Sequence, residues 1–251
     1  MKDNTIVIIG ASRGIGAALV REYLARGCHV LAASRDLAAL EALRGAAPEG
    51  MLDVVQCDAA QPGAVRFVLE RAEARWPRVD LLLYNAGADH AAWMDTFTAE
   101  DFRALLAVNT SGLAEALECS YALFRRQGGG VFAGVSSLAD ARGYPGSASY
   151  CASKAAASTL LEAARAELRQ GPIHVLTVRP GFVRTDMTAK NTFPMPLLME
   201  AAEAARIIVR GIERRKSVIT FPWPIAFATR IIRVLPDRLF AALALRGRRR
   251  R

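Results

Sequence analysis

Within residues 136–154 two side chains have the types and spacing needed to move a proton. Tyr150 and Lys154 stand four positions apart, so on a helix they share one face, one turn apart. A phenol normally ionises near ~10, too high to carry protons at neutral pH. A neighbouring ammonium favours the phenolate and brings that value down, which makes Tyr150 a candidate general acid/base. Ser137 lies thirteen residues before Tyr150, just after the apolar run 131–135. If that run is a strand, the Ser137 hydroxyl emerges at its end, in the cleft beside the Tyr150 helix. Ser136 would take its place if the register were one residue different, because adjacent strand side chains face opposite ways. The spacing favours Ser137.

A second chemistry-bearing stretch begins at Gly10. Residues 5–9 are a β-branched run that predicts a buried strand, and residues 17–26 predict a helix. Between them stands Gly10-Ala11-Ser12-Arg13-Gly14-Ile15-Gly16. Strand, glycine turn and helix are the setting in which backbone N–H groups and a helix N-terminus can hold a pyrophosphate. The next strand, 29–33, ends in Ser34-Arg35, where many NAD sites carry a carboxylate for the ribose 2′-hydroxyl. A guanidinium there suits a 2′-phosphate, with Arg13 as company, and so favours NADP over NAD. Asp36 is expected to cap the helix 37–44. Asp58, after a strand at 51–57, either meets an adenine amino group or caps the helix that follows, 65–75.

The remaining elements must bring these groups together. A fourth strand, 79–84, runs into Asn85-Ala86-Gly87, a turn that brings backbone close to a flat ligand and lets Asn85 tie neighbouring strands. Residues 98–127 are long for one helix, and Asn109-Thr110-Ser111-Gly112 inside them are poor helix formers, so a local kink is expected there. The helix bearing Tyr150 should reach about residue 170, followed by a strand at 173–178. Arg179-Pro180-Gly181 then leaves the sheet. Residues 189–199, with Pro194 and Pro196, predict a lid. A helix at 201–214 and a strand at 218–221 follow. Strands alternating with helices predict one doubly wound, parallel α/β sheet of the Rossmann type with helices on both faces.

Composition narrows the function. The chain has 251 residues and a formal charge of +9. Eight arginines and one aspartate between residues 230 and 251 account for +7, leaving the rest at about +2. A nearly neutral body argues against a nucleic-acid-binding core. Cys28, Cys57, Cys119 and Cys151 are far apart and read as reduced thiols, and His29, His90 and His174 show no ligand spacing, so no metal is expected. Met1-Lys2-Asp3-Asn4 runs directly into a strand without the pattern of a secretory signal. The expectation is a cytoplasmic protein.

Taken in order, Gly10-x-x-x-Gly14-x-Gly16, Asn85-Ala86-Gly87, Asn109, Ser137, Tyr150-x-x-x-Lys154 and Pro180-Gly181 resemble the short-chain dehydrogenase/reductase family, across residues 5–221. The resemblance implies a nicotinamide cofactor and a role for each position. Tyr150 would exchange a proton with the substrate oxygen. Lys154 would hold the nicotinamide ribose and lower the Tyr150 pKa. Ser137 would steady the developing alkoxide, and Asn109 would anchor a water linking Lys154 to solvent. Gly10, Ser12, Arg13, Gly14, Ile15 and Gly16 would line the pyrophosphate side and Arg35 the 2′-phosphate. Asp58 would meet the adenine, Asn85, Ala86 and Gly87 the ribose region, and Pro180, Gly181, Val183 and Thr185 the nicotinamide side. Leu138, Tyr144, Phe182 and Met187 would form the substrate pocket. The implied activity is NADP(H)-dependent interconversion of a carbonyl and an alcohol on an apolar small molecule, in a dimer or tetramer. A 3-oxoacyl reductase and a non-catalytic dinucleotide sensor are the alternatives. Two departures stand out: Ile9 where a threonine is common, and Tyr84 where a second asparagine is common.

Residues 222–251 are read as an extension to a domain spanning 1–221. A helix at 225–235 would gather Phe227, Ala228, Ile231, Ile232 and Leu235 on one side with Arg230 and Arg233 opposite. Leu239, Phe240 and Leu243 extend the apolar character, and Arg248 to Arg251 follow. This fits a helix lying on a membrane surface. It fits equally a helix that closes the substrate pocket or packs on a second subunit.

Overall fold

Alternation along β1 (Thr5–Ile9) divides the interior in two: Ile6 and Ile8 enter one apolar core, Val7 and Ile9 the other. A computed structural model describes residues 2–191 and 193–245. The other strands are β2 (His29–Ser34), β3 (Leu52–Gln56), β4 (Leu81–Tyr84), β5 (Gly130–Val135), β6 (Ile173–Pro180) and β7 (Val218–Phe221). All pairings are parallel, in the order β3-β2-β1-β4-β5-β6-β7. Both faces of such a sheet must be covered, which is why its strands are apolar on both sides. Helices α1 (Gly14–Ala25) and α2 (Leu37–Gly45) cover the face of Ile6. Helix α3 (Ala64–Arg75) covers the face of Val7.

Further along come α4 (Ala99–Leu106), α5 (Gly112–Arg126), α6 (Ala148–Glu167), the four-residue α7 (Asp186–Ala189) and α8 (Ala201–Glu213). Helices α5 and α6 join α3, and α8 joins α1 and α2. The chain runs outward from β1 to β3 and then crosses to β4 on the other side of β1. That reversal opens a crevice at the carboxyl ends of the strands, where ligands bind in sheets of this kind.

The expected kink in residues 98–127 is a wide, π-helical turn, Ala107–Ser111, between α4 and α5. Its cause lies partly in Tyr84. The phenol donates to the Val108 carbonyl at 2.5 Å, and Gly112 passes so close to Tyr84 and to the Ala59 carbonyl that a Cβ would have no room. Helix α1 starts at Gly14, earlier than expected, because Gly16 packs under the Gly10 carbonyl and so belongs to the first helical turn. Strand β6 runs on to Pro180, because Arg179 and Pro180 still pair with Thr220 and Phe221 of β7.

The C-terminal region forms two helices, α9 (Trp223–Val234) and α10 (Asp237–Leu245). Pro224 sits in the first turn of α9, where no N–H is required. The face of α9 that docks carries Ala226 and Thr229. The expected apolar side is therefore split: Ile232 and Leu235 turn partly inward, while Phe227 and Ile231 face outward. Packing against β7 and the short 3₁₀ turn Leu138–Ala141 decides this, and helical periodicity alone could not. Arg248 to Arg251 lie outside the described residues.

Candidate active site

The dinucleotide end of the crevice is built from glycine geometry. Gly10 has φ +84°, and a Cβ on it would run into the Ala86 backbone, so only glycine lets β1 turn here while β4's loop lies alongside. Asn85 locks the two loops: its side chain donates to the Gly10 carbonyl at 2.7 Å and its N–H to Ile9 at 2.8 Å. No side chain caps the N-terminus of α1, and its first turn holds no acidic residue. Its leading N–H groups and dipole are thus left for an anion. This is a cradle that fits a pyrophosphate.

Gly10, Ser12, Arg13, Gly14, Ile15, Arg35, Asp58, Asn85, Ala86 and Gly87 all line one continuous crevice. So do Ser137, Tyr150, Lys154, Pro180, Gly181, Val183, Thr185 and Met187. Arg35 is exposed and has no ion-pair partner among the described residues. Asp36 accepts from the Ala39 N–H at 3.0 Å and caps α2, as expected. Asp58 lines the crevice and also accepts from the Ala60 N–H at 3.1 Å, so it holds its own turn. Arg13 points toward Asp186, 3.5 Å away. Thr185 uses its hydroxyl to cap α7, accepting from the Thr188 N–H.

At the other end of the crevice Ser137 and Ser136 separate cleanly. The Ser137 hydroxyl accepts from Ala139 N–H at 3.1 Å and lines the crevice beside Tyr150, where it favours the phenolate. Ser136 faces inward and donates to the Lys154 carbonyl at 2.9 Å, with the Ser158 hydroxyl oxygen 2.7 Å away. Lys154 is buried, and its ammonium donates to the Val135 carbonyl at 3.0 Å. Asn109, carried inward by the π turn, is fully buried. It accepts from Ala88 N–H at 2.8 Å and donates to the Ala88 carbonyl and to Ser153 Oγ, both at 2.9 Å.

One expectation fails in the protein alone. Burial pushes the Tyr150 phenol up to about 12, despite the opposing effect of Ser137, and Asp89, Cys151 and Asp140 add to the rise. Burial outweighs whatever Lys154 contributes. Its nitrogen lies 5.9 Å from the Tyr150 ring centre and is directed at Val135. Burial instead pushes the Lys154 amine down to about 8, against the pull of Asp89 and Asp140. Removing two polar groups from water favours the neutral form of each.

Other expected residues stand elsewhere. Gly16 packs beneath the glycine turn and does not line the crevice. Leu138 is buried under Gly181. Phe182 stacks edge-on against Phe193 of the segment after α7, and Tyr144 edge-on against Phe240 of α10, with ring centres 5.9 Å apart in each pair. Both pairs lie outside the crevice lining. Among the described residues no cluster could hold a metal, and the four cysteines are buried and form no disulfide.

Sequence reasoning missed the support behind Ser137. Arg179, at the end of β6, forms a two-pronged ion pair with Asp140, one prong at 2.7 Å from Nε. Ser158 donates to Asp140 at 2.5 Å, and its oxygen lies 2.7 Å from that of Ser136. The 3₁₀ turn that follows Ser137 is therefore tied to β6 and α6 by a buried network. No periodicity marks an aspartate three residues after the serine, and Arg179 reads from sequence only as the start of a turn.

A family model described as short chain dehydrogenase matches residues 4–194. The chain belongs to that family. An uncharacterized oxidoreductase of Myxococcus xanthus is 37% identical to this dehydrogenase over 250 residues, 99% of each chain. A 3alpha-hydroxysteroid dehydrogenase of Mediterraneibacter gnavus is 28% identical over 193 residues, 75% of this chain and 77% of its own. The crystal structure of a short chain dehydrogenase/reductase from Burkholderia phymatum in complex with NAD superposes with a TM-score of 0.83 at 21% identity, covering 91% of this dehydrogenase and 92% of that chain. This dehydrogenase is an oxidoreductase of the nicotinamide-dependent class with a Rossmann-type fold.

Proposed function

We propose that this dehydrogenase is an NADP(H)-dependent reductase of apolar carbonyl compounds, working through Tyr150, Ser137, Lys154 and Asn109. The observation that carries the reading is that Ser137, Tyr150 and Lys154 line the same crevice as the glycine cradle. When bound, the cofactor supplies a hydride to the carbonyl carbon. The C=O π pair moves to oxygen, and Tyr150 gives that oxygen its proton. Ser137 donates a hydrogen bond to the same oxygen, favouring the charge that builds there. Lys154 holds the ribose. Its nitrogen and Asn109 Oδ1 each lie 3.3 Å from where a Cβ on Gly87 would stand, so both border one small space through which a water can return the proton.

A phenol held near 12 is protonated at neutral pH, which is the form that reduction requires. Arg35, with Arg13 on the same crevice, supports NADP(H) over NAD(H) through a 2′-phosphate. The 3alpha-hydroxysteroid relative is named for a bulky apolar alcohol, which supports an apolar substrate here. Met187 and Val183 line the crevice on the side where the substrate would sit, and Val183 is held there by pairing with Met199. The family likeness supports a dimer or tetramer.

The test is a panel of ketones and aldehydes assayed with NADPH and with NADH by loss of reduced-nicotinamide absorbance. Turnover with NADPH, at least ~10-fold better than with NADH, is expected, the size of one charge-assisted contact. NADPH binding with no turnover of any carbonyl would leave only a dinucleotide sensor.

A further inference from the structure

The structure assigns α9 and α10 to an anionic lipid surface. This rests on the proposed apolar substrate for its purpose, and on the surface alone for its evidence. Opposite the docked face of α9, Trp223, Phe227, Ile231 and Val234 form an exposed row. Trp223 is 77% and Val234 79% exposed. At 3.6 residues per turn the four lie within about 80° of one another, so they form a stripe and not a scatter. Leu239 and Leu243, one turn apart, continue it on α10.

Charge identifies the occupant. Arg230, Arg233 and Arg238 are exposed along these helices, and the sequence adds Arg246 and Arg248 to Arg251 directly after α10. The rest of the chain is nearly neutral. Apolar side chains flanked by arginines, with a tryptophan at one end, match the layers of an anionic interface: acyl chain, carbonyl belt, phosphate. A second copy of this chain would bring a like-charged stripe against it. Among the described residues no helix is long and apolar enough to cross a membrane, so the mode is peripheral.

Arg142 ties this surface to the active site. It stands five residues after Ser137 and donates to the Leu235 carbonyl at 2.8 Å and to Asp237 at 2.7 Å, and its guanidinium lies 4.4 Å from the Phe240 ring centre. Next to it, Tyr144 packs on Phe240. Gly146 abuts Trp93, whose neighbour Met94 is exposed. The apolar stripe is thus tied to one loop, residues 142–146, which follows the 3₁₀ turn after Ser137.

The test is co-sedimentation of the full chain with phosphatidylcholine vesicles, with and without phosphatidylglycerol. Binding to the anionic vesicles is expected. It should weaken in high salt and drop at least ~10-fold in Trp223→Glu/Phe227→Glu, a change that removes two interfacial anchors. Unchanged NADPH binding by that variant reports an intact fold. Three results would overturn the assignment: no sedimentation of the parent chain, equal sedimentation of parent and variant, or a variant that instead loses a dimer in size-exclusion chromatography. Lipid binding without reduction of any carbonyl would leave the docking surface standing and remove the reductase reading.

Discussion

The Lys154 ammonium donates its hydrogen bond to the Val135 carbonyl, 3.0 Å away, and not to Tyr150. The lysine is thereby fixed at the end of β5 beside Ser136 and Ser137, and burial brings its amine down to about 8. Its charge is present below that value and lost above it. Reductive kcat/KM, which reports the free enzyme, should be level near neutrality and fall about tenfold per pH unit above roughly 8. Lys154→Arg, which cannot deprotonate in this range, should abolish that basic limb even while lowering the rate. A limb unchanged in the arginine variant would assign it to another group.

Stability should respond with the opposite sign. An unfolded lysine holds its proton to ~10.4, whereas folded Lys154 releases it near 8. Between those values unfolding takes up a proton, so this residue makes the fold more stable as pH rises from 8 to 10. Lys154→Met should flatten that part of the stability curve, measured by chemical denaturation at each pH.

The Arg179–Asp140 pair is the support most exposed to mutation. Asp140 is only 4% exposed at its side chain. Arg179→Met leaves that carboxylate unpaired, at an expected cost of ~3–5 kcal/mol, read as a fall in thermal midpoint. Asp140→Leu combined with Arg179→Met should recover much of the stability, since neither charge is then stranded. The double variant should still show reduced kcat with little change in cofactor affinity, because the turn after Ser137 has lost its tie to β6. Recovery of kcat together with stability would show that the pair only holds the fold.

Cofactor choice should rest on Arg35. Arg35→Ala is expected to weaken NADPH by about 10–100-fold, the range for one charge-assisted hydrogen bond, with NADH affinity nearly unchanged. Arg13→Ala should cost less, since its guanidinium is shared with Asp186 in an exposed pair. Fluorescence titration with both cofactors separates these outcomes. Equal losses for NADPH and NADH would move Arg35 away from the 2′-phosphate.

Much of this architecture is legible in the residues. The β-branched and apolar runs mark all seven strands, because strands buried on both faces are continuous apolar segments. The glycine turn is legible because Gly10 is demanded by a positive φ. The spacing to Tyr150 also favours Ser137 over Ser136 as the serine beside the phenol. Two things are not legible. The outward face of α9 depends on what it docks against: Ala226 and Thr229 are too small and mixed to announce a buried side. The protonation of Tyr150 depends on depth. A Tyr-x-x-x-Lys spacing fixes which face the pair shares, but not that burial outweighs the ammonium.

The most direct test of the central claim is a single-turnover measurement with NADPH and a ketone from the panel, comparing the parent chain with Tyr150→Phe. Loss of the proton donor should slow the decay of reduced-nicotinamide absorbance by ~10²–10⁴-fold, with the dissociation constant for NADPH unchanged, since Phe keeps the ring and removes only the oxygen. A Tyr150→Phe enzyme that reduces the ketone at the parent rate would contradict the account.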